Sequence, residues 1–228
     1  MKPVYLRIAI TTSILIAALS STANSQQTFD TDFQVWNDIT ITKTLDEKKD
    51  WTFSVGGVWR VGNNVRTSAD ERVSVVLMRK LNKTFSIGTG YVYRASNPTF
   101  RRRLYESRYQ AIGVVNVPLP EKFHLSSRNI LLYQSLYSRP DTSVFRSRFW
   151  LKRPVKVGKR SIEPFLAYEH FYDFRADSWV RYRIQPGITT KIYKDLSGDF
   201  FFLRQNEGGN GRRPGTLNAV GSSLRINL

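Results

Sequence analysis

The chain contains no cysteine and only two histidines, His124 and His170. It can therefore form no disulfide, and two distant histidines do not make a zinc site. Its acidic residues also lack the spacing of a calcium loop. After Leu19, no apolar run reaches the roughly 18 residues that a membrane-spanning helix needs. These absences predict no metal, no cofactor and no helical membrane domain.

The first 25 residues have the pattern of a secretory signal peptide. Lys2 and Arg7 form a positive amino-terminal region, residues 8–19 are apolar, and small residues occupy the cleavage region at 23–25. We therefore assign residues 1–25 as a cleaved signal peptide and residues 26–228 as a single mature domain. An uncleaved membrane anchor is the alternative.

Basic residues greatly outnumber acidic ones. The formal net charge is +17, and loss of Lys2 and Arg7 with the signal peptide leaves +15. Such an excess predicts an anionic partner or surface. Because an exported protein does not meet nucleic acid, we expect outer-membrane lipid and lipopolysaccharide as partners, with a small anionic solute as a further candidate.

The mature chain repeats one pattern, in which a stretch of about ten to fourteen residues with a two-residue period is followed by a turn signal. This length suits a tilted membrane strand better than a strand of a soluble sheet. Short turns alternate with longer polar loops, which is typical of outer-membrane barrels whose short turns face the periplasm. The predicted strands lie near 31–44, 49–61, 70–81, 84–95, 103–117, 122–137, 143–155, 161–174, 178–192, 196–206 and 215–228.

These strands number eleven, whereas single-chain bacterial barrels have even numbers. We therefore expect an all-β, antiparallel, up-and-down transmembrane barrel of 10–12 strands, with ten or twelve favoured. An extra short strand near Gln26–Asp32, a divided first segment or one false strand would restore an even number.

The direction of the strand faces follows from volume. In residues 145–152, Phe145 and Phe149 share one face, and Arg146 and Arg148 share the other. A barrel of this size has a narrow interior, so the bulky apolar faces fit outside against lipid and the charged faces fit inside. A soluble barrel with an apolar interior is the alternative. Aromatic residues near strand ends are predicted to form interfacial girdles, namely Trp36, Tyr91, Tyr93, Tyr137, Tyr172 and Tyr193.

Several short motifs are spread over most of the mature chain: Trp36, Trp59-Arg60, Gly90-Tyr91, residues 105–110 (YESRYQ), 145–148 (FRSR) and 168–171 (YEHF), and Tyr182-Arg183. In these motifs the chain resembles the bacterial outer-membrane barrels grouped as domain of unknown function 2490. The resemblance implies a barrel in the outer membrane of a Gram-negative bacterium, and no established chemistry. Such a barrel also needs the barrel-assembly machinery as a partner. The chain ends in Leu228 rather than in the usual aromatic residue.

The inward charges are the first candidate site. They form a predicted luminal network of Glu106, Arg108, Arg128, Arg146, Arg148, Glu163, Glu169, Arg181 and Arg183. Arginine outnumbers glutamate, so the network could line a narrow path that prefers anions. It could equally be a structural core of ion pairs that fills the lumen.

A second group of arginines falls on the predicted outer loops or strand tops. Its members are Arg66, Arg101, Arg102, Arg103, Arg139, Arg175, Arg212 and Arg213. Guanidinium groups bind phosphate in a bidentate manner, which predicts contact with lipopolysaccharide. Solvated surface charge is the alternative.

Catalysis by a lipid or lipopolysaccharide hydrolase would need a serine next to a histidine. Ser126 shares a strand face with His124, but at the predicted periplasmic end, and His170 is predicted to face lipid. We therefore expect a non-enzymatic protein with no catalytic residues, and keep the hydrolase and a soluble exported binding barrel as alternatives.

Overall fold

The computed structural model describes residues 31–48, 50–97, 102–137, 140–158, 160–209 and 215–228. Within these ranges the chain is almost entirely β-strand, with one 3-10 turn at Pro120–Lys122. No helix in the described part is long and apolar enough to cross a membrane. The predicted signal peptide and residues 26–30 lie outside the described residues. The strands are β1 Thr31–Thr44, β2 Trp51–Gly62, β3 Thr67–Lys80, β4 Phe85–Ser96, β5 Leu104–Pro118, β6 His124–Leu136, β7 Thr142–Lys152, β8 Val155–Val157, β9 Arg160–Asp173, β10 Ser178–Tyr193, β11 Leu196–Glu207 and β12 Gly215–Asn227.

The strands form one sheet that closes on itself. Neighbours in chain order pair antiparallel, except that β7 and the three-residue β8 both pair with β9. Pro154 separates β7 from β8, because proline has no N–H to donate to the ladder. The barrel wall is closed by β12, which returns to β1 and pairs with it in parallel from Thr31↔Thr216 to Thr42↔Asn227.

The predicted all-β barrel is therefore confirmed, with eleven long strands and one short extra strand in the described part. The preference for an even number of strands is wrong, and so is the expectation of purely antiparallel pairing. With an odd number of alternating strands, the first and the last run in the same direction, so the pair that closes the barrel has to be parallel.

The two faces of the wall differ in chemistry as predicted. Every long strand except β12 carries at least one large apolar side chain that is exposed on the outside. The inward face carries buried charge, and Glu106 and Glu169 are only 1% and 3% exposed. The narrow interior therefore holds the charged side chains, and the bulky apolar ones surround it.

Two predictions about single residues are wrong. Trp36 is not in an interfacial girdle, because its side chain points into the lumen, is 4% exposed and donates from Nε1 to Oε1 of Gln34 at 2.7 Å. In β10, the two-residue alternation predicts Trp179 on the charged inward face with Arg181, and Val180 on the outward face, but a register shift between Trp179 and Arg181 reverses this. Trp179 therefore lies outside and Val180 inside.

Glycine makes close packing possible at the parallel seam. Gly221 of β12 lies opposite Trp36 of β1 and Phe201 of β11. A Cβ atom there would lie 2.6 Å from the carbonyl oxygen of Trp36 and 2.5 Å from Cζ of Phe201. The seam and the adjacent ring therefore leave no room for a side chain.

Replacing Gly221 with valine should destabilise the folded barrel by about 1–3 kcal/mol, because overpacking displaces the β1 backbone at the seam. The matched control is Gly113→Val, where an added Cβ meets no heavy atom within 4 Å. Urea unfolding in lipid vesicles, followed by tryptophan fluorescence, measures the difference. Equal unfolding midpoints for the two variants would show that the seam tolerates the added side chain.

Candidate functional site

Two of the cavities that the described residues form lie at opposite ends of the lumen. The long-loop cavity, about 500 Å³, lies at the end where the longer loops emerge and is lined by Arg94, Glu106, Arg146 and Arg181 among others. The short-turn cavity, about 760 Å³, lies at the opposite end and includes Ser126 and Trp150 in its wall. The two cavities share no lining residue. The side chains between them therefore decide whether the lumen is continuous.

Asp70 and Glu106 form the first charge cluster. Asp70 accepts hydrogen bonds from Nε of Arg72 at 2.8 Å and from Nη2 of Arg94 at 2.8 Å. Arg94 also donates from Nη1 to Glu106 at 2.9 Å, and Arg108 donates from Nε to the other oxygen of Glu106 at 2.8 Å. Arg94 thus joins the two carboxylates, and the cluster links β3, β4 and β5.

Glu169 is the centre of the second cluster. Its two oxygens accept from Nε of Arg146 at 2.5 Å and from Nη1 of Arg183 at 3.0 Å. Arg183 donates from Nε to Gln205 at 2.6 Å. These contacts link β7, β9, β10 and β11, so each cluster binds several neighbouring strands from the inside.

Trp36 lies between the two clusters. The guanidinium carbon of Arg60 lies 3.6 Å from the centre of a Trp36 ring, and that of Arg183 lies 5.0 Å from it. Arg60 is also 3.7 Å from Asp70. A cation over an aromatic face is stabilised electrostatically, more so where water is scarce. Trp36 therefore connects the Asp70 cluster to the Glu169 cluster through its faces.

Arg128 and Arg148 differ from the other luminal arginines. They lie directly opposite each other on β6 and β7. Arg148 stacks on Trp150 at 3.7 Å and donates to Oε1 of Gln185 at 2.6 Å. Neither guanidinium forms an ion pair with a carboxylate of the described residues. The central lumen therefore contains two cations in register without a bound counter-charge.

The structure brings most of the predicted network together. Glu106, Arg108, Arg146, Glu169 and Arg183 belong to the two clusters, whereas Glu163 lies apart in the short-turn cavity. Arg181 pairs with Glu207 at 2.6 Å. Sequence reasoning missed Asp70, Arg60, Arg72, Arg94 and Gln185. The two-residue alternation places Asp70 and Arg72 on one face of β3, so continuing the face assignment into that strand would have found them.

The described loop arginines lie at the long-loop end of the barrel. Arg66, Arg102, Arg103 and Arg175 are exposed, whereas Arg101, Arg139, Arg212 and Arg213 lie outside the described residues. Arg103 pairs with Glu71, and Arg175 donates from Nη1 to the carbonyl oxygen of Pro140 at 3.1 Å. Arg66 and Arg102 thus leave their guanidinium groups available to a ligand at this rim.

The histidines lie in different environments. His124 lines the short-turn cavity together with Ser126, inside the lumen. His170 lies on the outer face among aromatic rings, 4.6 Å from Trp179 between ring centres and 5.7 Å from Tyr168. Within the described residues, no group of three histidine or acidic side chains could hold a metal ion.

A closed all-β barrel with an apolar outer wall and an arginine-rich lumen defines the class of this protein. The chain belongs to the family described as protein of unknown function (DUF2490), whose model matches residues 33–214, and this confirms the resemblance seen in the sequence. No curated protein matches the chain.

Among solved structures, the chain is similar to an anion-selective porin from Comamonas acidovorans. The two share 14% identity with a TM-score of 0.40, and the match covers 76% of this chain and 52% of the porin chain. The chain thus spans about half the length of the porin that it matches. A likeness of this size supports no conclusion about function.

Replacing Glu169 with glutamine should lower the free energy of unfolding by about 3 kcal/mol, because Arg146 and Arg183 would remain buried without their shared counter-charge. The matched control is Glu71→Gln, which breaks the exposed pair with Arg103 and should cost below about 1 kcal/mol. Urea unfolding in vesicles measures both variants. A Glu169 variant as stable as the control would show that the cluster does not stabilise the barrel.

Proposed function

We propose that this chain is an outer-membrane β-barrel whose lumen is held shut by its own side chains, so that it serves as a structural barrel rather than as an open pore. The proposal is carried by two described cavities at opposite ends of the lumen that have no lining residue in common. Arg128, Arg148 and Glu169, which lie in register on β6, β7 and β9, line neither cavity and lie between them.

The outer wall supports a location in a membrane. Exposed large apolar side chains lie on every long strand except β12, whereas soluble monomers rarely expose extended contiguous apolar patches. The charged outward side chains lie towards strand ends: Lys43, Glu71, Arg79 and Arg204. The long strands have 11 to 16 residues, enough for a tilted membrane strand. The apolar belt consists of Ile39, Ile41, Phe53, Val55, Trp59, Val73, Val75, Ile87, Tyr93, Tyr105, Tyr109, Leu131, Tyr133, Phe149, Leu151, Leu166, Tyr168, Tyr182, Ile184, Ile188 and Phe202.

A narrow anion-preferring passage is the second candidate function. It is favoured by the surplus of arginine at the centre of the lumen, where Arg128 and Arg148 have no carboxylate partner among the described residues. Cationic constrictions select anions in channels. The two candidates differ in whether the central side chains leave a continuous path for ions.

The proposal assigns no catalytic role. A lipid hydrolase needs its serine and histidine where lipid can reach them, and His124 and Ser126 face the short-turn cavity inside the lumen. His170 lies on the lipid-facing wall but is surrounded by aromatic rings. Phospholipid hydrolysis that depends on either histidine would contradict this part of the proposal.

In planar lipid bilayers, the purified barrel should give no steady conductance, because its central side chains block the path. Replacing Arg128, Arg148 and Trp150 together with alanine should open the path and produce discrete conductance steps. Arg66→Ala, a change in an exposed turn, is the matched control and should remain silent. Steady, anion-selective steps from the unaltered protein would overturn the closed barrel and favour the passage.

We also expect the long-loop rim to bind lipopolysaccharide phosphate. Replacing Arg66 and Arg102 with serine should reduce the lipopolysaccharide that remains bound during detergent purification, because guanidinium forks bind phosphate in a bidentate manner. The control replaces Lys80 and Lys83, at the short-turn end, with serine. Equal retention by both variants would indicate that the rim arginines are merely solvated.

A further inference from the structure

The pair Arg128 and Arg148 carries an electrostatic cost that no carboxylate of the described residues offsets by contact, although Arg148 stacks on Trp150 and donates to Gln185. The two residues are register partners on adjacent strands and both point inward. Like charges placed opposite each other across a strand pair are destabilising. Arg128 makes no hydrogen bond or ion pair with any described residue, and Nε of Arg148 is buried without a hydrogen-bond partner.

The nearby carboxylates are occupied or out of contact. Glu169 lies opposite Arg148 on β9, but its oxygens bind Arg146 and Arg183. Asp199 binds Arg225 and accepts from Thr189, and neither Asp38 nor Asp199 forms an ion pair with Arg148 among the described contacts. The guanidinium groups of this pair therefore have donors to spare, in a place where an unpaired cation is costly.

A cavity lies next to the pair. Next to Arg128 and Arg148 on the inward faces of β6 and β7 come Ser126 and Trp150, which line the short-turn cavity of about 760 Å³. On the other side, Arg146 lines the long-loop cavity. The pair thus lies next to the inner end of a cavity large enough for a small solute.

We propose that Arg128 and Arg148 bind one small oxyanion, a phosphate, sulfate or carboxylate, at the centre of the lumen, and that the anion enters from the short-turn cavity. A bound oxyanion supplies acceptors that the pair lacks, because its oxygens accept from the guanidinium N–H groups of Arg128 and Arg148. Guanidinium groups match the geometry of such anions, and charge-assisted hydrogen bonds are about twice as strong as neutral ones. The anion also neutralises the repulsion between the two arginines.

Binding is tested through stability, with inorganic phosphate as the probe. Phosphate should raise the urea-unfolding midpoint of the detergent-solubilised protein, because a ligand that binds only the folded state stabilises it. Sodium chloride at equal ionic strength should raise it less. Arg128→Gln should be at least as stable as the unaltered protein without phosphate and should lose the phosphate response, whereas Arg102→Gln should keep it.

The position of the anion is tested with iodide, which quenches tryptophan fluorescence on contact. Arg148 stacks on Trp150, so an iodide held by the pair lies beside that ring. The fluorescence of Trp150 is obtained by subtracting the emission of the Trp150→Phe variant from that of the unaltered protein. Its quenching should saturate with iodide, be relieved by phosphate and weaken about tenfold in Arg128→Gln. Quenching by neutral acrylamide should be the same in both backgrounds.

Phosphate stabilisation equal in Arg128→Gln and the unaltered protein, or iodide quenching that stays linear in both, overturns the site. These experiments use protein in detergent and do not depend on conductance. An open pore in bilayers would therefore contradict the closed barrel but not the anion site. A barrel that gives no conductance and no phosphate response would contradict the anion site but not the closed barrel.

Discussion

The structure depends on the need to neutralise charge inside a closed wall. Alternation along each strand sends every second side chain into the lumen, and the arginines that arrive there cannot be left unpaired without cost. Glu169 meets this need for Arg146 and Arg183, and in doing so ties β7 to β9 and β10. Trp36 adds a neutral connection, because its ring accepts cations from both clusters. Charge pairing and strand pairing therefore reinforce each other around the barrel.

The parallel seam is the second constraint, and the luminal packing is adapted to it. Because β12 and β1 run in the same direction, the C-terminal residue lies within the closure: Leu228 donates its N–H to Thr42 and accepts from the N–H of Thr44. On the inner side, the absence of a side chain at Gly221 lets the ring of Phe201 pack against the seam, opposite the backbone of Trp36. The aromatic residue that the sequence suggested for the membrane interface thus packs inside, at the point where the wall closes.

How far the sequence predicts this structure depends on the range of the interaction. The two-residue period is local, so the strand bounds and the direction of Arg146 and Arg148 could be inferred from neighbouring residues. Closure by β1 and β12 joins residues that are 185 positions apart in the chain, and no local sequence pattern predicts it. Whether Trp179 points outward or inward depends on a single register shift, which the two-residue alternation does not predict. Predicting the partner of each luminal arginine would require the register of several strands at once.

The distribution of charge separates two tasks within one lumen. A barrel that needed only a plug could use apolar side chains, since replacing a buried ion pair with well-packed hydrophobic residues is often neutral or stabilising. Glu169 and its arginines are at least fully paired, so they are compatible with a structural role. Arg128 and Arg148 have no carboxylate partner among the described residues, and two like charges opposite each other lower the stability of the fold. Residues that cost stability in isolation are typical of binding sites, where a ligand completes them. In the proposed anion site, this arginine pair supplies the donors for a ligand and also contributes to the closure of the lumen.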